Sequence, residues 1–127
     1  MEVVFLTLAD ALMIHTNQVA LYGGDDGVID LGMLDSALAQ PRVSFGGEMR
    51  YADLFEMAAA YLFHIVRNHP FADGNKRTGA MAALVFLDDN GVEIEIIKGE
   101  LFALTMGVAS SEIDKPEIAE FFRARAH

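Results

Sequence analysis

Cysteine is absent from this chain and proline occurs at only three positions. Without cysteine neither a disulfide framework nor a thiolate metal site is available, and a reducing, cytoplasmic setting is the expectation. Sparse proline, with 53% hydrophobic and 22% charged residues among 127, describes an ordered globular chain. That length has room for one hydrophobic core, so a single domain spanning residues 1–127 is expected. Positive charge is also scarce: nine Lys and Arg stand against nineteen Asp and Glu, a formal charge of −10. Such a surface repels a phosphate backbone, which argues against direct binding of nucleic acid. Long apolar runs are missing too. The longest, Ala80 to Leu87, is far shorter than the roughly 20 residues of a membrane span. Met1-Glu-Val-Val-Phe-Leu6 has no basic leader, so a soluble protein without a membrane partner is predicted.

What is present is helical periodicity broken by turn signals. Thr7 caps a helix carrying Leu8, Leu12, His15, Val19 and Leu21, which stops at Gly23-Gly24. Asp30 caps a short second helix with Leu34, Ala37 and Leu38 on one side, ending before Pro41. Between Pro41 and Tyr51, the pair Gly46-Gly47 separates short β-favouring segments and predicts a hairpin or open flap. A strongly apolar helix runs from Asp53 to near Asn68, and another from after Gly74 to Asn90-Gly91. Val92 to Ile96 reads as a short strand or extended connection, and Leu101–Val108 and Glu117–Arg125 as closing helices. The chain is therefore predicted to be mainly α, with about six helices and a small β flap.

Two buried helices thus flank one polar loop, His69-Pro-Phe-Ala-Asp-Gly-Asn-Lys-Arg77. Gly74 lets backbone approach a ligand closely, and the amides that open the following helix point outward with the positive end of its dipole behind them. Lys76 and Arg77 fall in that helix's first turn, where cations oppose the dipole unless an anion is bound. The loop reads as a phosphate site. His69 suits a general base for an attacking hydroxyl, and Asp73 suits a single carboxylate ligand of Mg²⁺ whose remaining ligands are phosphate and water. Lys76 and Arg77 neutralise phosphate charge, and Phe71 anchors the loop to the core. His15, His64 and His127 belong to no motif and are read as core or surface residues.

These nine residues resemble the signature of the Fic/Doc superfamily, His-x-Phe-x-Asp/Glu-Gly-Asn-Gly-Arg-x-x-Arg, and match its death-on-curing (Doc) branch more closely. Similarity continues through Tyr22-Gly-Gly24, Leu34-Asp-Ser-Ala-Leu38, Leu54-Phe-Glu-Met-Ala58 and Phe86-Leu-Asp-Asp-Asn-Gly91. A single Fic-like domain is implied. Lys76 stands where typical Fic members have glycine, and Ala80 where they have a second arginine. A lysine side chain there takes the space of one phosphate in the usual Fic orientation, and losing the arginine removes a bidentate clamp. The Doc branch shares both departures.

The resemblance implies that ATP binds in the reverse sense and that its γ-phosphate passes to a threonine of elongation factor Tu, stopping translation. It implies ATP and Mg²⁺ as cofactors and a catalytic set of His69, Asp73, Lys76 and Arg77. Gly74, Asn75, Lys76 and Arg77 then contact the nucleotide, and Asp73 holds the metal. Fic-type AMP transfer and a non-catalytic nucleotide-binding module are the alternatives. The inhibitory helix of many relatives, Ser/Thr-x-x-x-Glu-Gly/Asn, has no counterpart, since Ser44-Phe-Gly-Gly-Glu48 is followed by Met49 and carries two glycines. Inhibition is instead expected from a short Phd-like antitoxin folding into a groove, and an extended substrate segment is expected to pair with the flap near Phe45 to Tyr51.

Overall fold

The helix from Leu54 to Asn68 (α3) is buried around its whole circumference at its centre, with Ala58, Ala59, Ala60, Tyr61 and Leu62 all at 0% exposure. A helix apolar on every side has to lie inside its domain, and the other elements pack around it. The computed structural model describes residues 2–97 and 99–127. Among these, α1 spans Leu8–Tyr22, α2 Leu31–Ala39, α4 Asn75–Asp89, α5 Glu100–Ala109 and α6 Lys115–Ala124. A two-stranded antiparallel hairpin, β1 Ser44–Phe45 and β2 Glu48–Met49, lies between α2 and α3. The chain is mainly helical with one small hairpin, as its periodicity predicts.

Side-chain caps set the helix starts. Thr7 accepts from the Asp10 N–H while the Asp10 carboxylate accepts from the Thr7 N–H, a reciprocal capping box. Asp30 and Asp53 cap α2 and α3 through the N–H groups of Met33 and Glu56. The last helix begins at Lys115, two residues before the predicted Glu117, because Asp114 and Glu117 form a second capping box around Pro116 in the first turn. Of the two forms expected for Val92 to Ile96, the segment takes the extended connection, with one isolated bridge from Ile94 to Ala126.

The most extensive helix contact is between α3 and α4. A Cβ on Gly79 would lie 2.8 Å from Val66 Cγ2 and 3.2 Å from the Leu62 carbonyl oxygen, so bare backbone at this position is what admits α4. The N-terminal segment closes the far end. The Asn90 side chain exchanges two 2.8 Å bonds with the Val4 backbone, and the buried Tyr61 hydroxyl accepts the Leu6 N–H at 2.9 Å. Both ends of the α3–loop–α4 hairpin are therefore held, and the loop sits at the mouth of the core.

Candidate active site

The chain leaves α3 through His69, whose φ of 51° and ψ of 53° are left-handed, with its N–H still bonded to the Ile65 carbonyl. A side chain in that region is strained, and here it swings the chain sharply into Pro70. The Pro70 carbonyl accepts from Ile29 N–H (2.8 Å) and Asp30 N–H (3.1 Å), and Ala72 N–H donates to the Gly27 carbonyl (2.9 Å). The loop is thus stitched to the α1–α2 connection. Phe71 is fully buried, as its anchor role requires. Asn75 clamps the same turn: its Oδ1 accepts the Phe71 N–H and its Nδ2 donates to the Phe71 carbonyl. The amide thus ties both polar groups of the Phe71 backbone to the start of the next helix.

Helix α4 starts from Gly74, left-handed at φ 81°. Its first internal bond runs from Thr78 N–H to the Gly74 carbonyl. The N–H groups of Gly74, Asn75, Lys76 and Arg77 therefore have no acceptor among the described residues. They open onto a cavity of about 550 Å³ walled by residues 73–77, His69, Gln18 and Tyr22 of α1, and Phe102 and Thr105 of α5. This volume suits a nucleotide-sized ligand. Ala80 forms part of the wall.

The charges are arranged for an anion. Lys76 is exposed in the first turn of α4, and no carboxylate forms an ion pair with Lys76 or Arg77 among the described residues. Arg77 Nη2 donates to the Gly23 carbonyl at 3.1 Å, and its guanidinium lies 5.2 Å from the centre of the Tyr22 ring. Helix α1 has no basic residue in its own last turn, so Arg77 supplies the cation its C-terminus favours while facing the cavity. Asp73 is exposed, and its Oδ2 accepts the Asp25 N–H at 2.9 Å. Gly24 permits this approach, since a Cβ there would lie 3.0 Å from Asp73 Cβ.

All six residues expected at the site thus share one loop and one cavity wall. Sequence reasoning did not place His15, Gln18 and Tyr22 of α1 or the α5 residues. The signal for two of them was available: His15 (1% exposed) and Gln18 (6%) are polar groups on the inner face of α1, where an unsatisfied polar side chain is costly. His64, by contrast, lies outside the site. Its Nε2 accepts from the Lys115 ammonium at 3.1 Å, and burial together with the positive charge of Lys115 and Arg50 lowers its pKa to about 4.

Comparison with known proteins follows the same residues. A sequence model of the Fic/DOC family matches residues 5–87, which hold α1 to most of α4 and the whole loop. The chain belongs to the Fic/DOC family. It is similar to "Protein kinase doc" of Escherichia phage P1, at 35% identity over 114 residues that cover 90% of this chain and 89% of that protein. It is also similar to "Toxin Doc" of Mycolicibacterium smegmatis, at 45% identity over 73 residues, 58% of this chain and 56% of the relative. Both relatives are of the Doc type, and so is this chain.

Proposed function

We propose that the chain is a Doc-type toxin that transfers the γ-phosphate of ATP to a threonine or serine hydroxyl of a protein, with elongation factor Tu the expected substrate and arrest of translation the result. The observation that carries this reading is the pairing of Lys76 with Ala80 on one cavity wall. A cationic side chain beside four open amides favours a phosphate chain held by its charge, and the missing arginine at Ala80 withdraws the clamp that AMP transfer uses. The name "Protein kinase doc" on a relative that matches nearly end to end supports the same reaction.

In the reaction, the substrate hydroxyl oxygen attacks the γ-phosphorus while the bond from that phosphorus to the β–γ bridging oxygen breaks. ADP departs with the electron pair. His69 accepts the hydroxyl proton; its exposed imidazole at the loop's start reaches the cavity without crossing the core. The N–H groups of residues 74–77, with Lys76 and Arg77, stabilise charge on the phosphate oxygens. Asp73 is the carboxylate suited to Mg²⁺. The ion's other ligands would come from nucleotide and water. Bound there, Mg²⁺ supplies neutralisation of phosphate charge.

The hairpin fits a role in holding the substrate. Its Gly46-Gly47 turn has positive φ at both positions, and Phe45 and Met49 are exposed at its tip. An extended segment pairing there would bring its hydroxyl toward His69. Control by a Phd-like antitoxin accompanies the proposal. The test is incubation of the protein with elongation factor Tu, Mg²⁺ and either α- or γ-labelled ATP. Label is expected only from the γ position and is expected to vanish in His69→Ala; label from the α position, or none from either, refutes the proposal.

A further inference from the structure

One buried titratable group has no part in the mechanism above. His15, on the inner face of α1, is 1% exposed, and its Nε2 lies 2.8 Å from the backbone oxygen of Asp73. Its ring stacks on that of Phe71 with centroids 3.7 Å apart and planes within 7° of parallel. We propose that His15 is the positioning residue of the phosphate site, its Nε2–H holding the Asp73 carbonyl so that the Gly74 N–H faces the cavity. The inference rests on the phosphate-site reading of the loop and assigns the group that orients it.

A carbonyl oxygen can only accept, so the bond requires the proton on Nε2. The Asp73–Gly74 peptide is trans, and in a trans peptide the C=O and N–H point in opposite directions. Drawing the Asp73 oxygen inward against α1 therefore turns the Gly74 N–H outward. Gly74 completes the turn at φ 81°, a backbone angle available to glycine without strain.

The same bond limits α4. In a helix that began one residue earlier, Arg77 N–H would donate to the Asp73 oxygen. With the Asp73 oxygen drawn toward His15 and Gly74 left-handed at φ 81°, the helix does not extend back, and its first bond falls on Thr78 and Gly74. The amides of residues 74 to 77 stay open. Stacking alone would not need a histidine, since phenylalanine could lie on Phe71 equally well; the nitrogen is spent on this one carbonyl. Phe71 is in turn held by Asn75, so α1, the loop and the first turn of α4 form one rigid unit.

The experiment uses the intact chain, its His15→Phe variant, which keeps the stack and loses the donor, and His15→Gln, whose amide nitrogen can reach the position of Nε2. NMR of ¹⁵N-labelled wild type reads the His15 tautomer and the Gly74 amide, and calorimetry reads the affinity for Mg²⁺-ATP. Expected are a proton on Nε2, a displaced Gly74 amide resonance in His15→Phe, and an ATP Kd raised about tenfold, the equivalent of one hydrogen bond. His15→Gln is expected to restore both to near wild type, an outcome a merely space-filling histidine does not give. A proton on Nδ1, or a His15→Phe protein with wild-type Gly74 resonance and ATP affinity, overturns the proposal. If wild type binds no ATP, the phosphate-site reading fails, while the tautomer and the Gly74 resonance still decide the role of His15. If His15→Phe does not fold, His15→Gln and the wild-type tautomer decide it.

Discussion

Replacing His69 with glycine is expected to make the protein more stable and catalytically dead. His69 sits at φ 51°, in the left-handed region, where a side chain costs roughly 1–2 kcal/mol relative to right-handed helix. Its imidazole is exposed, so removing it forfeits no buried contact. Glycine relieves the strain but adds about 0.5–1 kcal/mol of chain entropy to the unfolded state. The net gain is about 0.5–1 kcal/mol, which for a domain of this size is a rise in Tm of about 2–4 °C. His69→Ala separates the two effects, because alanine keeps the left-handed strain and loses the same imidazole. Scanning calorimetry should therefore rank His69→Gly above both wild type and His69→Ala, while γ-label transfer is lost in both variants. A glycine variant that melts with or below the alanine variant would show that the turn stores no strain.

Gly79→Ala is expected to destabilise by about 1–3 kcal/mol through overpacking, because the new Cβ would stand 2.8 Å from Val66 Cγ2 and meet the Leu62 carbonyl. Helix propensity alone would favour alanine by about 1 kcal/mol, so a raised Tm would refute the packing argument. Thr78→Val is expected to stabilise by about 1 kcal/mol, since the Thr78 hydroxyl is buried with no hydrogen-bond partner; a lower urea midpoint at unchanged slope would contradict this. For His64, burial and then Lys115 and Arg50 lower the folded pKa to about 4, below the unfolded value of 6.5. The unfolded chain then binds the extra proton, so stability is complete above pH 6.5 and drains as pH falls toward 4. After discounting for the partial exposure of His64, the loss is about 1–2 kcal/mol, and a flatter Tm profile over this window in His64→Gln checks it.

Where local chemistry decides an element, the sequence was sufficient. Thr7, Asp30 and Asp53 each cap the helix their position announces, and Gly46-Gly47 turns the hairpin. The start of α6 lies two residues ahead of its apolar repeat because Lys115, Pro116 and Glu117 carry no apolar periodicity; their signal is the cap at Asp114. The loop's own residues were legible as a set because they adjoin. Their partners were not. His15 meets Asp73 across 58 positions, and Arg77 meets Gly23 across 54, contacts set by how α1 packs on α4 and not by any local spacing. Asn75, expected among the nucleotide contacts, also bonds the Phe71 backbone through its side chain, a role that no local spacing announces.

Several unfavourable features are gathered at the loop, and the electrostatic ones share one remedy. Elsewhere, Arg123 pairs with Asp53, Arg125 with Glu100, and Asn90 with the Val4 backbone. At the loop, four amides lack acceptors, Lys76 and Arg77 lie against a helix dipole, and a left-handed histidine opens the turn. Each of the electrostatic penalties is reversed by a phosphate chain, which accepts from the amides and pairs with the cations. In a chain of net charge −10, this cavity is lined by two cations that have no carboxylate partner among the described residues. The strain at His69 is not relieved by an anion; the left-handed turn sets the imidazole at the cavity edge. In the proposed mechanism binding and proton transfer draw on separate devices within the nine residues, so Lys76→Ala should weaken nucleotide binding in a protein whose His69 still stands in place, and His69→Ala should leave binding intact while transfer stops.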